Sequence, residues 1–496
     1  VFRGLDVRFD AAYSDVTRDL RDDGAPADLT TGTITSPGFL SLVKSPFLTP
    51  FAYDVNGNQS RYLSEADNYL VKAFGYGSEY LEKDNINYVK GVSLANPVAI
   101  LKLGDGENRN EAGNRMVAFS ITPRYQFNGH LSLQEHFNFT LVNTNENYYL
   151  PREGTPPFIL IANSNDKAEN MAQSMASRQN TILSDTRLMW NNRYGAHKID
   201  VFGGVRYQTN KYKLTAQRGY DTGNDKYPST GNTNSKYRTT WGADDKTREL
   251  TWYAQADYNW AEKYYLEAGF SAEASSRFGE DADGLKLGGV VWGLFPSVNA
   301  AWVLSNEKWL ANVKGVDYLR LNVGFDVTGN DNIDYTASKT YFIANNMLNQ
   351  KVDGKSIGNI GNTSLKWETT NRLTVGLEGN FINNRLNAHI NYFKGWTKNL
   401  LTLRQLAWTS GLAESWSNDG KLENEGFEVG ANMKVLNLKD FTWELGATAG
   451  HYVNKITALP NNDKSFETEA YGATILSQVG TAAGVFYGYK TNGVYA

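Results

Sequence analysis

Apolar and polar residues alternate one by one through much of this 496-residue chain. Two of the clearest segments are 264–273 and 317–328, in which every second residue is apolar and the residues between them are mostly polar. A period of two is typical of a β-strand with two unlike faces, and not of a helix. Thirteen such segments predict strands at 5–13, 117–127, 131–141, 188–194, 199–207, 252–260, 264–273, 292–302, 317–328, 373–381, 386–392, 427–435 and 441–449.

Most of these strands are about 9 to 12 residues long, which suits a membrane crossing, whereas globular strands cluster near about 5 or 6. The joins Asn128-Gly129 and Asn383-Asn384 are short, and their residue types suit the positive φ angles of two-residue hairpins. Long polar connections follow one strand later, at 142–186, 208–249, 329–371 and 397–425. Short periplasmic turns opposite long extracellular loops are typical of outer-membrane barrels.

A secreted β-sandwich is the alternative fold, because it would show the same alternation with apolar residues inward. Strand length and loop asymmetry favour an all-β, transmembrane antiparallel β-barrel over residues 1–496. Bacterial single-chain barrels have an even number of strands, so thirteen segments indicate missed strands or part of a longer barrel. Rings near the strand ends suit interfacial girdles in a barrel, and would also suit the rim of a sandwich: Trp252, Trp260, Tyr264, Tyr392, Phe427 and Phe441.

Composition removes several classes of function. The chain has 49 basic and 53 acidic residues, so it has no positive field for nucleic acid, and it has no cysteine for disulfides, thiolate nucleophiles or iron–sulfur clusters. Its five histidines form no H-x-x-x-H pair, and its paired carboxylates lie in polar loops instead of a rigid cleft. We therefore expect no metal site, no cofactor and no catalysis by this chain.

The second half of the chain resembles the SusC/RagA-type TonB-dependent outer-membrane transporters of the Bacteroidota. Five motifs occur in that family's order, and each falls where the period and the turn residues independently place a strand or turn. They are FPSVNAAW at 295–302, YLRLNVGFDVTGNDN at 318–332, LKWETT at 365–370, GFE at 426–428 within 418–430, and FYGY at 486–489 followed by TNGV at 491–494.

The resemblance implies part of a 22-stranded barrel, of the size whose lumen is plugged, with the plug domain absent from this chain. It implies a transporter in the outer membrane of a Gram-negative bacterium that imports oligosaccharides or peptides. The implied partners are a SusD-like surface lipoprotein and the TonB complex, which would act through the plug. Two alternatives stay open: a receptor for a small chelate or vitamin, and a secreted glycan-binding sandwich.

Candidate functional residues are those suited to binding and conduction. In a barrel, the polar faces of the strands would line the lumen and meet a hydrated substrate or a plug. The residues that we expect to face the lumen are Glu267, Arg320, Asn322, Asp326 and Glu378. Three tryptophans predicted in the long loops could stack on sugar rings or peptide side chains at the extracellular mouth: Trp241, Trp408 and Trp416.

Overall fold

The computed structural model describes residues 4–20, 32–43, 49–63, 92–103, 110–155, 158–159, 167–346, 353–412, 414–470, 473–490 and 493. Within these residues, thirteen strands form one antiparallel sheet in strict chain order. They are β1 Leu5–Asp19, β2 Glu111–Gln126, β3 Leu131–Leu150, β4 Met171–Tyr194, β5 His197–Tyr220, β6 Thr239–Trp260, β7 Tyr264–Ser275, β8 Val290–Val303, β9 Val316–Asn330, β10 Glu368–Phe381, β11 Leu386–Gln405, β12 Glu414–Asn437 and β13 Thr442–Ala458. Each of the thirteen predicted segments coincides with one of these strands, although Phe127 and Phe441 lie one residue outside β2 and β13. The all-β barrel class is confirmed.

The connections between these thirteen strands contain smaller helices and strands. A fourteenth strand, Leu285–Leu287, pairs with β8 beside the main path. Between β1 and β2, the described residues include two short helices, α1 Pro37–Val43 and α2 Pro97–Leu103. The separate ribbons pair Gly32–Ile34 with Val92–Leu94, Phe51–Tyr53 with Gln59–Tyr62, Phe158–Ile159 with Lys167–Ala168, Tyr341–Asn346 with Asp353–Asn359, and Ser465–Ala470 with Ala473–Gln478 and Val485–Tyr487. The 3₁₀ helices are Thr230–Asn232, Ser235–Tyr237, Leu304–Asn306, Trp408–Ser410 and Pro460–Asn462.

The two ends of the sheet differ, as predicted. At one end, here the turn end, the connections are 127–130, 195–196, 261–263, 304–315, 382–385 and 438–441. At the other, the loop end, they are 20–110, 151–170, 221–238, 276–289, 331–367 and 406–413. Asn383 and Asn384 adopt the expected positive φ of 56°. Asn128 does not; its side-chain oxygen instead accepts from the backbone N–H groups of His130 and Leu131, which closes the turn.

Several strands extend further toward the loop end than predicted. The expected loop 142–186 is strand up to Leu150 and again from Met171, and 208–249 is strand up to Tyr220 and from Thr239. Backbone pairing continues there without interruption, because the β-ladder requires only N–H and C=O groups and not an apolar face. The connection 20–110, with its two helices, was not predicted.

The apolar face of the sheet is exposed over a limited height, which we call the apolar belt. In β3 it covers 131–141, after which the same face carries Asn143 and Asn145. In β9 it includes Val323 and Phe325, which are 41% and 44% exposed. Because successive side chains of a strand point to opposite faces of the sheet, these apolar side chains lie on the face opposite the polar ones. The buried apolar clusters lie instead under the loops, for example Ile333, Ala337 and Leu365.

Stacked rings border the apolar belt at the turn end. The centroid distances are 6.0 Å for His197–Trp260, 5.3 Å for Trp260–Tyr264 and 6.1 Å for Tyr264–Trp302. Glu307, in the turn 304–315, accepts hydrogen bonds from the Tyr264 hydroxyl at 2.7 Å and from Trp302 Nε1 at 3.3 Å. The hydrogen bond from Tyr264 lowers the pKa of Glu307. Such a row is the geometry of an interfacial girdle, as predicted for Trp260 and Tyr264.

No helix within the described ranges has the length and apolar character needed to cross a membrane.

Candidate functional site

The opposite face of the sheet carries a continuous set of polar side chains, here called the polar wall. Strand register places Glu267 of β7 beside Asn299 of β8, and Asn299 beside Gly324 of β9. Gly324 keeps this face open, because an alanine Cβ there would overlap Asn299 Oδ1. A cavity of about 420 Å³ results, and its polar lining includes Lys198, Asp200, Asp257, Asn259, Tyr265, Glu267, Asn299, Arg320, Asn322 and Thr374.

Ion pairs and hydrogen bonds link neighbouring strands of the polar wall. Arg320 Nη1 lies 3.5 Å from Glu378 Oε1, and its guanidinium lies 5.6 Å from the ring centroid of Tyr265. Asn299 Nδ2 donates to Glu267 Oε1 at 3.3 Å. Arg372 Nε donates to Asp326 Oδ1 at 3.0 Å. The charges of the wall are thus largely balanced, which suits a hydrated face more than a binding site for a single ion.

Two polar atoms of the wall retain hydrogen-bonding capacity. Among the described residues, Arg320 Nε and Asp326 Oδ2 are inaccessible to solvent and have no hydrogen-bond partner. One of these atoms is a donor and the other an acceptor.

The structure places all five predicted lumen residues on this one face. Glu267, Arg320 and Asn322 line the same cavity, Glu378 pairs with Arg320, and Asp326 pairs with Arg372. The strand register alone settles this placement, since these residues pair across β7 to β10 at alternating positions. That this face surrounds a lumen stays a prediction.

The three predicted tryptophans are not brought together in loops. Trp241 lies in β6, and the guanidinium carbon of Arg218 lies 5.8 Å from the centroid of its ring. Trp416 lies in β12, where it packs on the cluster of Ile333, Ala337 and Leu365 and donates from Nε1 to Asp334. Trp408 begins a short 3₁₀ helix. Trp416 therefore has a clear packing role, and Trp241 is the one at the polar face.

A second polar cluster at the loop end was missed, because its strand residues fell in expected loops. Gln173 Nε2 donates to Glu146 at 3.0 Å, while Arg218 donates to Gln173 Oε1 at 2.8 Å and also covers Trp241. These four residues, Glu146, Gln173, Arg218 and Trp241, are here called the loop-end relay. They lie on β3, β4, β5 and β6, on the same face of the sheet as the polar wall. No apolar/polar alternation in the sequence reveals it, because both faces of β3 carry polar residues beyond Leu141.

Three buried residues, Tyr149, Asn170 and Thr222, and the half-buried Asp225 hold the connection 221–238 against β3, and are here called the loop-end network. Asn170 Nδ2 donates to the Tyr149 hydroxyl at 3.0 Å and to Thr222 Oγ1 at 2.9 Å, and the Tyr149 hydroxyl donates to Asp225 at 2.7 Å. Burial, followed by the hydrogen bond to Asp225, raises the pKa of Tyr149. The phenol therefore stays protonated at neutral pH and remains a donor.

Removing the central amide of this network is expected to loosen the loop. In Asn170→Ala, the buried Tyr149 and Thr222 oxygens and the Thr222 N–H lose a partner, which costs about 1 to 3 kcal/mol locally. Amide hydrogen exchange in 221–238 should become faster, while exchange in β8 and β9 stays unchanged. Lys236→Gln, at an exposed position of the same loop, is the control. Unchanged exchange in Asn170→Ala would show that the network does not hold the loop.

Among the described residues, no three His, Asp or Glu side chains are grouped so that they could hold a metal ion. The chemistry available on the polar wall and at the loop end is hydrogen bonding, charge and ring stacking.

Comparison with known proteins agrees with this architecture. Residues 6–493 match the family model described as TonB dependent receptor-like, beta-barrel. The chain belongs to this family. The resemblance drawn from the motifs is therefore confirmed, and the family consists of outer-membrane receptors and transporters of Gram-negative bacteria and not of enzymes.

Curated relatives of this family member come from Bacteroidota. The chain is 28% identical over 323 residues to TonB-dependent receptor P3 of Formosa agariphila, a match covering 63% of this chain and 31% of the relative. It is 28% identical over 313 residues to TonB-dependent receptor SusC of Bacteroides thetaiotaomicron, a match that covers 60% of this chain and 30% of the relative. The match thus spans about a third of the length of these relatives.

A solved structure shows the same fold. The structure of the RagAB peptide transporter superposes with a TM-score of 0.73 at 16% identity, covering 97% of this chain and 48% of that chain.

Proposed function

We propose that this chain forms part of the wall of a SusC-type importer, which takes up oligosaccharides or peptides across the outer membrane together with a SusD-like lipoprotein. The observation that carries the proposal is the two-faced sheet. One face is an exposed apolar belt bordered by stacked rings, and the other is a polar wall with a cavity of about 420 Å³. Such a sheet suits lipid on one side and a hydrated solute on the other.

Under this proposal, each part of the sheet has a role. The apolar belt contacts outer-membrane lipid, and Glu267, Arg320, Asn322, Asp326 and Glu378 face the lumen, where their hydrogen-bonding groups meet the plug or the substrate. The loop end faces the outside of the cell, so Trp241 stands at the mouth. Energy reaches the transporter from the TonB complex through a plug region.

Glycans and peptides are both candidate substrates. The resemblance described above implies either class, and the RagAB structure is that of a peptide transporter. The loop-end relay of amide, carboxylate, guanidinium and indole groups suits either substrate.

Two measurements test the proposal. Cells lacking the gene should lose uptake of a fluorescent oligosaccharide or peptide mixture, and the wild-type gene should restore it. The intact transporter, extracted in mild detergent, should carry a surface lipoprotein in stoichiometric amount. Normal uptake by the deletion strain, or a transporter that purifies alone, would contradict the proposal.

A further inference from the structure

The loop end holds a second cavity of about 420 Å³, here called the loop-end cavity, a size in the range of small-molecule sites. The strands β3 and β4 form its floor, and the connection 221–238 forms its roof. Its lining is Asn147, Tyr148, Tyr149, Gln173, Ser174, Lys226, Tyr227, Pro228, Ser229, Thr230 and Asn232. No residue proposed above for lumen lining takes part in it.

The roof of this cavity is held in place by specific bonds. Arg238 Nη2 donates to the carbonyl oxygens of Gly231 at 3.0 Å and Thr233 at 2.7 Å. The backbone N–H of Asn234 donates to the Tyr220 carbonyl at 2.9 Å, which ties the roof to the end of β5. From below, the loop-end network fixes the start of the same connection. The cavity is therefore preorganised, and a ligand would not have to order the loop.

The chemistry of the lining is selective. Lys226 is its only charged side chain, and no carboxylate lines the cavity. Among the described residues, no ion pair involves Lys226, which is exposed. Tyr227 is 64% exposed, and the remaining polar side chains are amides and hydroxyls, such as Gln173 and Asn232. One available cation, three tyrosines and neutral hydrogen-bonding groups suit an anionic ligand that is also rich in hydroxyls.

We infer that the loop-end cavity binds an acidic sugar residue, a uronate or a sulfate ester, within an oligosaccharide. This inference rests on the proposed function and narrows its substrate class. The sugar anion would lie against Lys226 Nζ, a tyrosine ring would pack on the apolar face of the sugar ring, and amides would bind its hydroxyls. An acidic peptide also carries anions, but its N-terminal ammonium group would find no carboxylate in this lining.

The cavity is connected to the predicted aromatic residue at the polar face. Gln173 lines the cavity and accepts from Arg218, and Arg218 lies over the Trp241 ring. Units of the same oligosaccharide beyond the acidic sugar could therefore extend along this relay to Trp241 and then toward the polar wall. The inference thus gives Trp241 a place in a chain of sugar subsites.

Calorimetry on the intact transporter in detergent tests the inference with four defined probes: tetragalacturonate, a sulfated tetrasaccharide, neutral maltotetraose and tetraglutamate. One of the two acidic sugars should bind at least tenfold more tightly than maltotetraose and tetraglutamate. Lys226→Gln should weaken that binding about tenfold, as expected for loss of a charge-assisted contact. Tyr227→Ala should weaken the binding too, whereas Lys236→Gln, in the same loop but outside the lining, should not.

The outcomes separate this inference from the proposed function. Equal affinity of Lys226→Gln and the wild type for the acidic sugar would overturn the site while leaving glycan import intact. Preference for tetraglutamate, or binding of neither acidic sugar, would overturn the substrate class, and uptake would still report on transport. Heat-modified mobility on gels shows whether each variant is folded.

Discussion

A lysine in place of Val323 is expected to destabilise the sheet in a bilayer by about 2 to 4 kcal/mol, the cost of a cation at the middle of a lipid-facing strand. Val323 lies in the middle of β9, on the exposed apolar face, next to Val375 of β10 and Ala300 of β8 in register. No carboxylate faces it from these two partners, so the ammonium would remain unpaired in hydrocarbon. Urea titration of the transporter refolded in lipid vesicles measures the effect.

The neighbouring residue provides a matched control. Asn322 points to the other face and lines the polar-wall cavity, whose lining also includes the carboxylates of Asp200, Asp257 and Glu267. Asn322→Lys should therefore change the unfolding free energy far less than Val323→Lys, although both add the same charge at the same height in the membrane. A tolerated Val323→Lys beside a disruptive Asn322→Lys would mean that the apolar face is the inner one.

Sequence alternation predicted the strands best within the apolar belt. In segments such as 317–328 and 264–273, apolar and polar residues alternate, and this contrast between neighbours indicates a strand with one apolar and one polar face. The contrast disappears above the belt, because both faces of β3 are wet beyond Leu141. The ladder nevertheless continues to Leu150. Hydrophobic periodicity therefore shows how far the apolar face extends and not where the strand ends.

The same limit explains which candidate residues share one face of the sheet. Arg320, Asn322 and Asp326 lie in the belt region, where period alone fixes the face of every residue. Trp241 and Trp416 lie beyond it, so they were expected in loops but occupy strands. The loop-end cavity unites residues about 80 positions apart, such as Tyr148 and Tyr227, and no local pattern encodes that contact.

Single engineered cysteines are expected to label from opposite sides of the membrane. The chain has no cysteine, so each introduced thiol is unique. Ser410 and Lys236 lie in loop-end connections, while Gly129 lies in a tight turn where an added Cβ meets no atom within 4 Å. On whole cells, Ser410→Cys and Lys236→Cys should react with a membrane-impermeant maleimide, and Gly129→Cys should not, because turns of such barrels are periplasmic.

Permeabilising the outer membrane supplies the control, since Gly129→Cys should then react to the same extent as the other two. That result would show that the thiol at residue 129 is accessible and was protected only by the membrane. Labelling of Gly129→Cys alone on whole cells would invert the topology, and it would place Trp241 and the loop-end cavity in the periplasm. An acidic sugar could then reach Lys226 only after crossing the membrane, so this experiment also decides whether the loop-end cavity can select a substrate before import.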